Sequence, residues 1–131
     1  MDGSSNNVSG CGHCWPPSAD AAWKARRIHT AELIDEPHYH VMILAYPECG
    51  QLFLWVFTEM IDWANGDDAQ YWTVLPITES EAAELTRRGS ELTEIEINSL
   101  GSDRRSLRKN YPTGGGPREF WGKGIAVGPH D

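Results

Sequence analysis

The chain has 131 residues, is 40% hydrophobic and carries a net charge of −8, enough for one domain with a buried core. Its mean hydropathy is −0.48, no apolar run approaches the ~20 residues of a membrane span, and Met1 to Gly10 lacks the basic-then-apolar pattern of a secretory signal, so a soluble, cytoplasmic protein is expected. Residues 28 to 100 hold 14 acidic and two basic residues, a field that repels phosphate backbones and favours basic partners.

Residues 1–10 are small and polar and are expected to be disordered. Residues 11–110 read as a metal-stabilised α+β domain, and residues 111–131 as a loop with a C-terminal edge strand or tail. Pro16-Pro17 stiffens the chain after the first cysteines, and Ser18 or Asp20 caps a short helix through Lys24. Strands follow over Ile28 to Ile34 and His38 to Tyr46, separated by the turn-forming Asp35-Glu36-Pro37. The second of these is apolar on both faces, as is Leu52 to Phe57, which marks both as central. Asn65-Gly66 is the strongest hairpin signal, returning the chain into Gln70 to Leu75, and Pro76 is expected to end that strand.

Thr78-Glu79-Ser80-Glu81 fits a capping box and opens a helix that closes at Gly89. Thr93, Ile95 and Ile97 alternate as a strand would, with a second helix as the alternative. Ser102-Asp103 is expected to start a short basic helix through Lys109. Residues 111–116 read as a loop, and Phe120 to Val127 as an edge strand. The sum is a small antiparallel β-sheet with one or two packed helices, an α+β fold.

Three cysteines, Cys11, Cys14 and Cys49, are too few for a disulfide framework and have the spacing of metal ligands. A Cys-x2-Cys pair supplies two ligands from one tight turn, and a second turn at a hairpin tip supplies the rest. Cys49 lies in such a turn, in Tyr46-Pro47-Glu48-Cys49-Gly50. This segment resembles the Cys-Pro-x-Cys-Gly knuckle of zinc ribbons, with Tyr46 where the family has its first cysteine. The resemblance implies a structural zinc ion in a zinc-ribbon-like hairpin with one ligand to be found elsewhere. Cys11-Gly12-His13-Cys14 is also similar to the active-site tetrapeptide of protein disulfide isomerases. There the pair follows a strand and opens a helix; here no βαβ unit precedes it, so metal is preferred to redox chemistry.

Strand geometry ranks the histidines for the fourth position. At ~3.3 Å per residue, His40 stands ~20 Å from Tyr46 along a straight strand, which demotes both His38 and His40. Antiparallel pairing about Glu36-Pro37 instead places His29 opposite Leu44, near the knuckle. His29 therefore ranks first, before His13 and His130, with water, or no metal at all, as the remaining choices.

The turn Asp62 to Asp68 joins Trp63 to three carboxylates, Asp62, Asp67 and Asp68, but lacks the spacing of a calcium loop. These four residues are the candidate contact with a partner, since tryptophan is enriched at interface hot spots. Trp55 reads as core. The cluster Arg104, Arg105, Arg108 and Lys109 is expected to pair with the acidic body of its own domain or of a second copy in a homodimer. Gly114-Gly115-Gly116 is not a phosphate loop. No catalytic residue set emerges from these spacings.

The expected function is a non-enzymatic, zinc-stabilised module that binds a basic protein; an inhibitor or immunity protein that shields a basic nuclease is one concrete form. The alternatives are a zinc-dependent enzyme with an open coordination position and a nucleic-acid-binding zinc ribbon, which the charge balance disfavours.

Overall fold

A computed structural model describes residues 10–131, and the expected disorder of the first nine residues lies outside the described residues. Six strands form one antiparallel sheet: β1 (Ile28–Glu36), β2 (Tyr39–Ala45), β3 (Leu52–Met60), β4 (Ala69–Ile77), β5 (Arg105–Tyr111) and β6 (Arg118–Lys123). They pair in sequence order, so β1 and β6 are the two edges and the sheet is not closed into a barrel. Three short helices, α1 (Ala19–Lys24), α2 (Glu79–Arg88) and α3 (Glu94–Asn98), complete an α+β fold. No helix among the described residues is long and apolar enough to cross a membrane.

The central strands are apolar on both sides because each side of the sheet meets a separate core. On one side, Val41, Ile43, Leu54, Val56 and Leu75 pack with Ala82 and Leu85 of α2, Ile97 of α3 and Ile125 of the C-terminal tail. On the other, Phe53, Val74 and Leu107 pack under Cys14, Trp15 and Ala22. Each such aliphatic or aromatic burial contributes about 1.5–3 kcal/mol. The second cover is partial. It lies over β5 and β6, and leaves Met42, Trp55, Phe57 and Trp72 half-buried.

Helix starts follow local chemistry. The Ser18 hydroxyl accepts from the Ala21 N–H at 3.3 Å. Thr78 and Glu81 form the expected capping box, and α2 ends at Gly89.

Several expected elements differ. Residues 94–98 form a helix, the alternative to the strand, because Thr93, its extended N-cap, and Glu96 form a second capping box; of the two isoleucines only Ile97 is buried, while Ile95 is 82% exposed. The basic stretch ending at Lys109 is strand β5, not a helix, and Leu107 fills the core opposite Val74. Strand β4 continues through Pro76 to Ile77. The Pro76 carbonyl accepts from Arg104 at 3.1 Å, so the missing N–H faces the β5 side, beyond the last β4–β5 pair at Val74, and costs the β3–β4 ladder no bond. Strand β6 spans Arg118–Lys123, not Phe120 to Val127. Trp15 is a core residue, whereas Trp55 is only half-buried.

Candidate metal centre

Two turns build the centre. Between β2 and β3 the Tyr46 N–H donates to the Gln51 carbonyl at 3.0 Å, and the Gly50 N–H donates to the Tyr46 carbonyl at 2.8 Å. Gly50 takes a φ of 76°, a conformation that favours glycine, and Cys49 stands at the exposed tip. The other turn is Cys11 to Trp15, closed by the Trp15 N–H on the Cys11 carbonyl at 2.9 Å. Within it the Cys11 N–H donates to Cys14 Sγ at 3.3 Å.

The two turns are tied together. The Gly10 N–H donates to Gln51 Oε1 at 3.0 Å. The buried Gln51 amide in turn donates to the carbonyls of Leu52 at 2.9 Å and Ile77 at 3.1 Å. Gly10 has a φ of 64°, and a β-carbon there would stand 2.8 Å from Cys14 Sγ. Only glycine lets the backbone pass this close to the thiol.

The three Sγ atoms of Cys11, Cys14 and Cys49 lie within 4.8 Å of one another. Cys14 and Cys49 are 3.6 Å apart. A Zn–S bond of ~2.3 Å in a tetrahedron requires sulfurs ~3.8 Å apart, so the trio has the dimensions of a metal-binding thiol set. All three thiols are free of disulfides. Burial pushes the Cys14 thiol up to about 12, while the Cys14 backbone N–H holds the Cys11 thiol below its ordinary value. A divalent cation is the charge that would ionise a thiol as buried as Cys14. Cys14 is fully buried, Cys11 half-buried and Cys49 exposed, so one side of the cluster opens to solvent.

Among the described residues no His, Asp or Glu joins the three thiols at this spacing. His29 does pair with Leu44 as expected, but it is exposed on the edge strand and its ring is not part of the cluster. His13 is also outside it, with Nδ1 3.7 Å from Glu48 Oε1. His130 stacks on Tyr39 at 4.7 Å and bonds Glu94 at 2.8 Å. His38 and His40 face Glu59 at 3.2 Å and Asp35 at 3.0 Å.

At the β3–β4 turn Trp63 is 85% exposed, but the three carboxylates hold the loop itself. Asp62 accepts from the N–H groups of Ala64, Asn65 and Asp67. Asp68 accepts from the Asp62 N–H at 2.9 Å, and Asp67 from the Gly114 N–H at 2.6 Å. The basic cluster is paired within its own chain: Arg104 with Glu81 at 2.6 Å and Lys109 with Glu119 at 3.7 Å, while Arg105 lies over the Trp121 ring at 3.8 Å.

Sequence reasoning passed over two residues that position the centre. Gln51 is one. Arg27 is the other: its guanidinium donates to the carbonyls of Cys14 at 3.0 Å, Ala22 at 3.1 Å and Ala25 at 3.2 Å, and lies 4.7 Å from the Phe53 ring. Their bonds to the centre, Gln51 to Gly10 and Arg27 to Cys14, cross 41 and 13 residues of sequence, so no local pattern announces them. The chain matches no protein-family model, no curated protein and no solved structure.

Proposed function

We propose that the chain is a non-catalytic protein-binding module whose N-terminal segment is stapled to the sheet by a structural zinc ion, and whose acidic body meets a basic partner. The convergence of three thiols from two separate turns carries this reading. The cation would tie the turn at Cys11–Cys14 to the tip at Cys49 and hold Trp15 and α1 over the second core. For a chain of this size such a clamp is large against a total stability of ~5–15 kcal/mol. The net charge of −8 supports a basic partner, with an inhibitor or immunity protein of a basic nuclease as one form. Native mass spectrometry tests the metal half: one zinc per wild-type chain, lost in Cys49→Ser. Equal metal content in the two proteins would remove the reading. The partner half predicts an association rate that falls steeply with salt; capture indifferent to ionic strength speaks against it.

A zinc enzyme is the second reading, favoured by the solvent-facing side of the cluster and by the Glu48 carboxylate beside Cys49. Cobalt substitution separates the two. A visible spectrum that shifts on adding cyanide or imidazole marks an open position and an enzyme; an unresponsive spectrum marks a structural site.

A further inference from the structure

The partly covered side of the sheet repeats one arrangement. Along its covered part, several aromatic rings carry cations from the chain itself. Arg27 lies 4.7 Å from Phe53, Arg105 3.8 Å from Trp121, and Lys109 5.1 Å from Trp23 and 5.7 Å from Trp72. Beyond α1 the same face continues as an open groove of about 410 Å³ over β1 to β4. Its floor is an aromatic row: His40 to Phe57 at 5.9 Å, Phe57 to Trp55 at 6.1 Å and Phe57 to Trp72 at 5.1 Å. Two carboxylates, Glu32 and Asp35, line it from the edge strand β1.

We infer that this groove is a recognition site for an arginine or lysine side chain of a basic protein segment. An aromatic face attracts a cation through its quadrupole, most strongly where water is excluded. Glu32 and Asp35 supply the counter-charge, and a guanidinium is shaped for both, stacking on a ring while bonding a carboxylate. Asp35 already holds His40 at 3.0 Å, so the ring of His40 and its carboxylate form one wall. Lys109, over Trp23 and Trp72, is tied to Glu119 at the covered end and leaves the Trp55 and Phe57 rings to an outside charge. The inference rests on the basic-partner reading above, and places the contact in the groove instead of at the Asp62 to Asp68 turn.

The test is an NMR titration of the full chain with blocked glycyl-arginyl-glycine amide, and with its norleucine analogue as the uncharged control. Saturable shifts of the Trp55 and Trp72 indole N–H signals are expected with the arginine peptide and not with the control. The double change Glu32→Gln and Asp35→Asn, at exposed positions, is expected to weaken binding about fivefold or more, as is Phe57→Leu. Arginine-dependent shifts confined to the Asp62 to Asp68 turn would overturn the groove and leave the basic-partner reading intact. Equal binding of the norleucine peptide would overturn the cation commitment. No shift with either peptide would overturn the groove and remove the support that a basic partner draws from it, leaving the zinc clamp untouched.

Discussion

Cys14 Sγ and Cys49 Sγ lie 3.6 Å apart across 35 residues of sequence. That contact brings the N-terminal turn to the β2–β3 tip, and it sets the first expectation. On the proposed zinc clamp, removing the ion should release Trp15 and α1 from the sheet. With free zinc held about a hundredfold above its dissociation constant, chelation or Cys49→Ser should cost about 3 kcal/mol in urea unfolding. His29→Ala should keep its zinc, because His29 is outside the thiol cluster.

Two glycines of the first turn separate shape from sequence. Gly10→Ala places a methyl 2.8 Å from Cys14 Sγ and 3.0 Å from Trp15 Cβ, at a φ of 64°. Gly12→Ala meets nothing within 4 Å. The first should destabilise the fold by about 1–3 kcal/mol and weaken metal binding; the second should leave both within experimental error. Thermal melts and a competitive zinc titration of the two variants check this.

Arg27→Met should cost about 2–4 kcal/mol. It strips donors from the carbonyls of Cys14, Ala22 and Ala25, and a buried acceptor left without a partner costs about 1–3 kcal/mol. The loss should appear first as exchange of the α1 amides, followed by hydrogen exchange.

His130 supplies a pH dependence. Partial burial pulls its pKa down, but the bonds to the Glu94 carboxylate and the Asp131 carbonyl outweigh it, and the net shift is upward from 6.5. A raised folded value means the protonated ring stabilises the fold. That stabilisation is complete below the unfolded value and is lost as pH rises through the folded one. The stability difference between wild type and His130→Asn should therefore shrink from pH 6 toward pH 8, measured with zinc saturating in both proteins.

Much of the fold was legible because it depends on local chemistry. Thr78 and Glu81 cap a helix through their own side chains. The doubly apolar stretches at 41–45 and 52–57 announce central strands, since each face of the sheet has a core to fill. The pairing of His29 with Leu44 needs more than the turn: β1 pairs from Glu36 opposite Tyr39, and two irregularities, between Glu32 and Ile34 and between His29 and Ala31, shift the later pairs. Local pattern failed at Arg105–Tyr111, where strand pairing with β4 decides the state; at Thr93–Ile97 two local signals competed, and the capping box of Thr93 and Glu96 outweighed an alternation of three residues.

The sequence by itself marked the candidate ligands: three cysteines at ligand spacing, one of them in a Pro-Glu-Cys-Gly turn. Only the tertiary structure decided which groups meet. A strand register places backbones, but a side chain's direction depends on twist and edge position, and His29 stays exposed and outside the thiol cluster. The same holds for the aromatic face. Trp55 reads as core in an apolar run, but with Phe57 and Trp72 it lines an open groove, because α1 lies over β5 and β6 and does not reach across the sheet.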